Sequence, residues 1–172
     1  MPSQIRRIDS SDSISTLTLL IRRAYKQLAE MGFNYTGSYQ DDETTQTRIS
    51  TGECYVLLEN GVLVGTITRY PPNGQPWPAQ EWYAQPGVAS CGQFAVDPYL
   101  QRNGRGSELM DFVERRASEI GAKELALDTS EGANHLIRFY TKRGYRFIEY
   151  IQHAGKTYRS VILSKALSHV TR

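Results

Sequence analysis

Residues 93–110, in the middle of the chain, read QFAVDPYLQRNGRGSELM and have the types and spacing that could bind an anion. Gly104 and Gly106 fall where an apolar, strand-like run gives way to a helical pattern. The unpaired N–H groups in the first turn of a helix point outward, and the helix dipole favours negative charge there. Since glycine leaves no side chain in the way, the segment predicts a phosphate site. A helix start that merely contains glycines is the alternative.

Polar residues beside these glycines could complete the site. Arg102 and Arg105 are cations suited to phosphate oxygens, and Asn103 and Ser107 add neutral hydrogen-bonding groups. No Gly-Lys-Ser/Thr follows, and the third glycine of a dinucleotide-binding fingerprint is missing. The spacing therefore excludes both of these common nucleotide-binding loops.

The elements that must position this segment follow from hydrophobic periodicity and turn residues. Helical spacing predicts helices from Ile14 to Gly32, from Asp41 to about Gly52, and at 133–143. A further helix follows the glycine loop and ends at Gly121. Strands are predicted at 3–8, 53–59, 62–68, 88–96, 123–129, 145–152 and 156–163, with a two-residue hairpin at Asn60-Gly61 and a last hairpin across Ala154-Gly155. Residues 71–87 are predicted to be a loop. This order predicts an α/β or α+β sandwich around one mixed sheet.

Length and composition limit the function classes. The 172 residues correspond to one domain, and a net charge of +2 argues against a nucleic-acid partner. No secretory leader or membrane-spanning run is visible, so we expect a cytoplasmic protein with no membrane partner. Cys54 and Cys91 stand in apolar runs and are predicted to be buried thiols rather than a disulfide or metal ligands.

Two motifs together resemble a known family. Residues 101–106, QRNGRG, fit a Gln/Arg-x-x-Gly-x-Gly/Ala signature, and residues 133–145, ANHLIRFYTKRGY, follow in the right order and at the right separation. They are similar to the GCN5-related N-acetyltransferases (GNAT). The resemblance implies a single domain over residues 1–172 with the GNAT-like α/β (α+β) fold. Its central sheet would be mixed, mostly antiparallel, of about seven strands and splayed in the middle, with helices on both faces.

The resemblance implies acetyl-CoA as cosubstrate and no metal. The loop and the start of its helix would bind the pyrophosphate, through Gln101, Arg102, Asn103, Gly104, Arg105, Gly106 and Ser107. The strand of Phe94, Ala95 and Val96 would splay from its parallel neighbour and bond the pantetheine arm. Asn134 would contact pantetheine or CoA. The competing interpretation is a helix cap.

The implied mechanism is direct attack of an amine on the thioester. Tyr140 matches the general acid that protonates the leaving thiolate, although a core tyrosine would show the same helical spacing. A backbone N–H near Val96 would polarise the carbonyl. Many family members use a Glu on the strand before the signature loop, and this chain has Gln93 near there, which cannot act as a base. Glu81 or Asp128 is then the candidate base. The alternatives are surface charges and a relay through water.

Aromatic residues in two loops are expected on the acceptor side. They are Phe33, Tyr35, Tyr39, Trp77, Trp82 and Tyr83, with ordinary loop packing as the alternative. Asp41, Asp42 and Glu53 could attract an amine. The predicted function is acetyl transfer to a primary amine of a small molecule or peptide, in an enzyme that could form a homodimer, as many relatives do. Two alternatives are a non-catalytic acyl-CoA-binding module and a binder of another phosphate ligand.

Overall fold

The structure is a computed structural model that describes residues 3–77, 80–101 and 103–168. Its strands are β1 (Ser3–Arg7), β2 (Glu53–Glu59), β3 (Val62–Tyr70), β4 (Val88–Val96), β5 (Glu124–Ser130), β6 (Arg146–Ile151) and β7 (Ser160–Ala166). Its helices are α1 (Ile14–Glu30), α2 (Asp42–Ser50), α3 (Arg105–Glu119) and α4 (Asn134–Lys142). Short 3₁₀ turns lie at Thr36–Ser38, Trp82–Ala84 and Pro98–Leu100. The predicted order of helices and strands is confirmed.

One sheet contains all seven of these strands, in the order β1-β2-β3-β4-β5-β7-β6. Every neighbouring pair is antiparallel except β4 and β5, which are parallel. Strand β7 lies between β5 and β6, so the chain passes to the sheet edge at β6 before it returns. The prediction of a mixed, mostly antiparallel sheet is confirmed.

The two parallel strands separate along most of their length. Strand β4 pairs with β5 only from Val88 to Ser90, whereas β5 stays paired with β7 as far as Ser130. A bulge in β4 contributes, because Thr66 faces Ala95 and Thr68 faces Gly92, which leaves two β4 residues opposite one on β3. The predicted splay is therefore present, and we call the space between the separated ends of β4 and β5 the gap.

Helices cover both faces of the sheet. On one face, Leu109, Val113 and Tyr140 of α3 and α4 pack with Leu125 and Leu127 of β5. On the other, α1 and α2 bury a set that also includes sheet residues, namely Leu17, Ile21, Ile49, Cys54 and Ala95. The turn at Trp82–Ala84 extends that second layer by covering Val88, Ala126 and Ile162. The gap thus has α3 and α4 on one side of the sheet and α1, α2 and the Trp82–Ala84 turn on the other.

Both predicted hairpins are present, but their connections differ in length. Asn60 and Gly61 have φ values of 54° and 76°, as the turn between β2 and β3 requires. The hairpin across Ala154-Gly155 is confirmed, since β6 and β7 pair antiparallel, but its connection is longer than predicted: β6 ends at Ile151 and β7 begins at Ser160. Residues 152–159 bond to the connection between α1 and α2, where the Asn34 side chain accepts from the Thr157 N–H at 2.8 Å. Tertiary contacts therefore hold this connection open.

Both cysteines are free and buried, as predicted. Burial raises the pKa of each thiol, so both stay protonated and inert at neutral pH. In the part of the chain that the structure describes, no helix is long and apolar enough to cross a membrane.

Candidate functional site

The glycine loop ends in a helix start that no side chain caps. Gly104 is the N-cap of α3 with φ of +81°, a left-handed conformation that favours glycine. Within the described residues, the main-chain N–H groups of Arg105, Gly106 and Ser107 have no hydrogen-bond acceptor. A Cβ atom added at Gly104 would meet nothing within 4 Å, so the space beside these donors is open. The arrangement suits a phosphate group.

Gly106 has a different role from Gly104. A Cβ atom on Gly106 would lie 3.4 Å from Phe94 Cζ and 3.9 Å from Phe139 Cζ. These two rings are stacked, with centroids 6.3 Å apart. Gly106 therefore makes room for the aromatic pair on the α3 and α4 side of the gap, as well as leaving its N–H uncovered.

Two side chains of the loop already have partners in the protein. Arg105 donates from Nη1 to Glu108 at 3.1 Å and from Nη2 to Glu59, so its guanidinium is already paired. Arg105 is thus already paired with two carboxylates, and the contact of its side chain with a phosphate stays a prediction. Gln101 donates to the Val96 carbonyl at 3.1 Å and ties the loop to β4. Asn103 is exposed and Ser107 half-buried, while Arg102 lies outside the described residues.

The end of β4 presents main-chain groups to the gap. The Asp97 N–H donates to the Val64 carbonyl at 2.8 Å, on the β3 side. Since N–H groups alternate sides along a strand, the Val96 N–H points away from β3, toward the gap. The Val96 carbonyl points the same way and accepts from Gln101. Val96 is therefore placed to donate to an oxygen in the gap, whereas Ala95 is turned toward α1 and Phe94 toward Phe139.

Tyr140 has a buried ring and a hydroxyl without a hydrogen-bond partner among the described residues. The residue is 7% exposed, and its ring lies edge-on to Phe139 and Tyr145 at 5.2 and 5.7 Å. The hydroxyl oxygen is not among the unpartnered atoms that are fully buried, so a bound molecule can reach it. Burial raises the pKa of Tyr140 well above 10, and Asp128 is among the groups that add to the rise. The phenol keeps its proton, as a general acid must.

Asp128 lies on the separated end of β5, and Glu81 does not. The Tyr83 hydroxyl donates to Asp128 Oδ2 at 2.6 Å, and His153 Nε2 lies 3.3 Å from Oδ1. The Asp128 side chain is 18% exposed, so it is shielded but reachable. Glu81 is exposed beside the Trp82–Ala84 turn, and its carboxylate has no described bond to any residue of the gap. Of the two candidate bases, the geometry favours Asp128.

Predicted and unpredicted aromatic residues form one cluster at the open side of the gap. Tyr35 stacks on Tyr158 at 4.8 Å and lies 5.5 Å from Tyr25, while Phe33 meets Tyr158 edge-on at 5.9 Å. The Tyr35 hydroxyl accepts from the Ser130 N–H at 2.8 Å, so it is already occupied. The sequence placed Phe33 and Tyr35 here and missed Tyr25 and Tyr158, which come from other segments.

Tyr39 lies at the rim beside a lysine that the sequence interpretation also missed. Lys156 donates to the Asn34 carbonyl at 2.9 Å, to Thr36 Oγ1 at 2.8 Å and to the Tyr39 hydroxyl at 3.3 Å. The hydrogen bond from Lys156 lowers the pKa of Tyr39, and the charge of Arg48 contributes. Tyr39 is 57% exposed, so a bound molecule could reach it.

The two tryptophans are not brought together with that cluster. Trp82 packs beside Ile148 in the layer over β5 and β7, and the Arg146 guanidinium lies 5.9 Å from its ring. The Trp82 ring thus packs against β6 and apart from the aromatic cluster, and its contact with an acceptor stays a prediction. Trp77 lies edge-on to Tyr70 at 5.3 Å, with the Arg48 guanidinium 5.6 Å from its ring.

The predicted acidic residues have local structural roles. Asp41 accepts from the Thr44 N–H at 2.8 Å and caps α2, and Asp42 accepts from Ser15. Glu53 accepts from Arg69 and Arg116, each at 3.2 Å. Glu53 is thus neutralised by arginines, whereas Asp41 and Asp42 bond to neutral groups only, and the attraction of an amine by these residues stays a prediction.

Asn134 is the first residue of α4 and is exposed. The N-cap is Ala133, and no side chain accepts from the first turn. The interpretation of Asn134 as a helix cap is therefore wrong. Its contact with the cofactor stays a prediction.

Comparisons with known proteins agree with this geometry. The family model described as the acetyltransferase (GNAT) family matches residues 18–145. The chain is 31% identical to the S-(2-succino)cysteine N-acetyltransferase of Bacillus subtilis, over 92% of each chain. It is 26% identical to the S-alkylcysteine N-acetyltransferase of the same organism, over 84% of this chain and 80% of that one. A GNAT acetyltransferase structure from Elizabethkingia anophelis with acetyl-CoA bound shares the fold, with a TM-score of 0.67, 18% identity, and coverage of 96% and 98%.

Proposed function

The chain belongs to the acetyltransferase (GNAT) family, and from this premise we propose that it transfers the acetyl group of acetyl-CoA to the α-amino group of a cysteine substituted on sulfur. Family membership and the N-acetyltransferase relatives establish the enzyme class. The cosubstrate and the acceptor are the proposed part.

One observation carries the choice of acceptor. The relative named for S-(2-succino)cysteine is 31% identical and aligns over 92% of both chains, and the second relative, named for S-alkylcysteines, also aligns over most of its length. Two relatives with related acceptors support a cysteine conjugate over a polyamine or a protein lysine. The aromatic cluster around Tyr158 offers an apolar wall against which a thioether substituent could pack.

The described residues fit acetyl-CoA. Three uncovered N–H groups at the start of α3 would hold the pyrophosphate, and the open space at Gly104 admits it. The gap between β4 and β5 would take the pantetheine arm, with the Val96 N–H as a donor. The related structure with acetyl-CoA bound supports this choice. When bound, acetyl-CoA supplies the acyl group as a thioester.

Acid and base roles follow from protonation and position. Tyr140 carries its proton on Oη throughout the physiological range, because burial raises its pKa, and can give it to a departing thiolate. Asp128 can take a proton from an incoming ammonium through Oδ1, the oxygen that faces His153, while Tyr83 fixes Oδ2. The Val96 N–H would stabilise negative charge on the carbonyl oxygen.

An acceptor panel tests the proposed function. Wild-type protein with acetyl-CoA is given S-(2-succino)cysteine, S-ethylcysteine, spermidine and a peptide with a free N-terminus, and release of CoA thiol is recorded. We expect the highest kcat/KM with the two cysteine conjugates. Equal or faster turnover of spermidine or the peptide would contradict the proposed acceptor while leaving the enzyme class intact.

The acceptor panel, together with a calorimetric titration of acetyl-CoA, separates an enzyme from a non-catalytic acyl-CoA-binding module. A non-catalytic module would bind acetyl-CoA in a calorimetric titration without releasing thiol with any amine. The homodimer and the cytoplasmic location stay predictions, which size-exclusion chromatography with light scattering and cell fractionation would test.

A further inference from the structure

Arg48, on the last turn of α2, differs from the other shielded arginines of the described chain. Each of the other arginines that are buried or half-buried pairs with a carboxylate: Arg6, Arg69, Arg105, Arg116 and Arg143. Arg48 is half-buried, and no carboxylate of the described residues lies within ion-pair distance of it. A shielded cation without a counter-ion is costly, so a ligand that supplies one would gain affinity there.

The partners of Arg48 are neutral and leave one donor free. Its Nη1 donates to Gln40 Oε1 at 3.0 Å. With the Gln93 amide turned so that its oxygen faces the guanidinium, that oxygen lies 2.7 Å from Nη1 and 3.1 Å from both Nε and Nη2. Two amide oxygens cannot satisfy the five N–H donors of a guanidinium. One N–H of Nη2 is left over, and a carboxylate placed there would add the negative charge that the two neutral amides lack.

Several contacts hold the guanidinium in place. Gln40 and Gln93 are 2% and 4% exposed, so the groups that orient Arg48 are themselves fixed. The ring of Trp77 lies 5.6 Å away on another side, and the Tyr70 hydroxyl donates to the Arg48 carbonyl. Arg48 is therefore a preorganised cation, which loses little side-chain entropy when a ligand binds.

The position of Arg48 relates it to the acceptor. Gln93 is the bulge residue of β4 at the beginning of the gap, with φ of +53°. The hydrogen bond from Lys156 is the main cause that lowers the pKa of Tyr39, and burial is the main cause that raises the pKa of Tyr158. The charge of Arg48 lowers both pKa values to a smaller extent, so Arg48 lies near both hydroxyls. Arg48 thus lies between β4 and the aromatic cluster, on the opposite side of the sheet from α3.

We propose that Arg48 binds the α-carboxylate of the acceptor, so that the enzyme selects amino acids over simple amines. The proposal rests on the proposed function and gives it a recognition element. An α-carboxylate held by Arg48 would leave the α-amino group facing the gap and the side chain facing the tyrosines. Lys156 is less suited to this role, because its ammonium already donates to three oxygens.

Matched acceptors and matched variants test the proposal. S-ethylcysteine and S-ethylcysteine amide differ only in the carboxylate, and each is measured with wild type, Arg48→Gln, Arg48→Lys and Arg115→Gln. Arg115 is a suitable control because it is an exposed helix arginine 6.0 Å from the Phe112 ring, without a described carboxylate partner. We expect wild type to prefer the acid, and Arg48→Gln to raise the KM for the acid about 10- to 100-fold. The KM for acetyl-CoA should stay unchanged.

The same variants identify the result that would overturn the proposal. Arg48→Gln should leave the amide unaffected, Arg48→Lys should recover part of the preference, and Arg115→Gln should behave as wild type. A loss in Arg48→Gln that is equal for acid and amide, or a wild type without any preference, overturns it. If cysteine conjugates fail but another amino acid shows an Arg48-dependent preference over its amide, this inference stands and the cysteine assignment falls. No turnover with any amine overturns both.

Discussion

The Tyr83 hydroxyl donates a 2.6 Å hydrogen bond to Oδ2 of Asp128, across 45 positions of sequence. Tyr83 is 1% exposed, and burial together with the Asp128 charge raises its pKa well above 10, so this donor does not ionise. The bond fixes one carboxylate oxygen and leaves the other, Oδ1, beside His153. A buried loop tyrosine thereby orients the carboxylate that we assign as the base.

Replacing Asp128 with Asn removes the proton acceptor with little change in shape. We expect kcat to fall about 100- to 10,000-fold in Asp128→Asn. The KM for acetyl-CoA should change little, because the described contacts of the Asp128 carboxylate are with Tyr83 and His153 and not with the start of α3. Initial-rate kinetics at saturating acetyl-CoA give the answer.

Glu81→Gln is the matched control for that measurement, since Glu81 is the exposed alternative candidate. We expect it to keep wild-type kcat, and Tyr83→Phe to lie between the two variants because the carboxylate remains but is less well oriented. A large loss in Glu81→Gln with normal turnover in Asp128→Asn would reverse the assignment.

Tyr140→Phe removes a hydroxyl that has no hydrogen-bond partner among the described residues. Stability should therefore stay near wild type, while kcat falls about 100- to 10,000-fold through loss of the general acid. The pKa of Tyr140 is raised well above 10, so its phenol stays protonated up to at least that pH. Ionisation of Tyr140 should therefore cause no loss of wild-type kcat below pH 10. Tyr145→Phe is the comparison: its hydroxyl donates to Glu114 at 2.8 Å, so stability should fall more than kcat.

Two glycines at opposite ends of α3 allow the phosphate site to be tested against backbone strain. Gly104 and Gly121 have φ of +81° and +92°, and an added Cβ meets nothing within 4 Å at either position. Alanine should destabilise the fold at both by about 1–2 kcal/mol, because L residues resist this conformation. Only Gly104→Ala should also weaken CoA, by about tenfold, through movement of the N–H groups that follow it. Calorimetric titration measures the affinity of each variant for CoA. An equal loss of affinity in Gly104→Ala and Gly121→Ala would contradict the phosphate site at the start of α3.

Glu53 makes stability depend on pH in the acid range. Burial would raise its pKa, but hydrogen bonds from Arg116, Tyr55 and Arg69 outweigh this and lower the pKa to about 2. A folded pKa below the ordinary 4.5 adds stability that is present above pH 4.5 and is lost as pH falls toward 2. Urea midpoints should drop through that window in wild type and less steeply in Glu53→Gln. Identical slopes would mean that Glu53 is not the group responsible.

Local sequence signals predicted the elements, and long-range contacts decided the errors. The Asn60-Gly61 turn and the glycines after α1 and α3 have the positive φ values that their residue types favour. The connection at Ala154-Gly155 is longer than predicted because its geometry depends on Asn34, which is far away in sequence. The extent of the chain as one domain, residues 1–172, stays a prediction.

The cofactor side of the site was more predictable than the acceptor side. Glycine spacing locates the start of α3, because a helix terminus carries its donors wherever it lies. Arg48 gave no such signal, since it looks like an ordinary polar residue of a short helix. Its role depends on Gln40, Gln93 and Trp77, which three other segments contribute.

The most direct test of the account is the identity of the product formed from acetyl-CoA and S-ethylcysteine. Mass spectrometry and NMR of a wild-type reaction should show one acetyl group on the α-nitrogen of each acceptor consumed, matched by one equivalent of free CoA thiol. Thiol release that is equally fast without the acceptor, with acetate as the only acetylated product, would contradict the assignment.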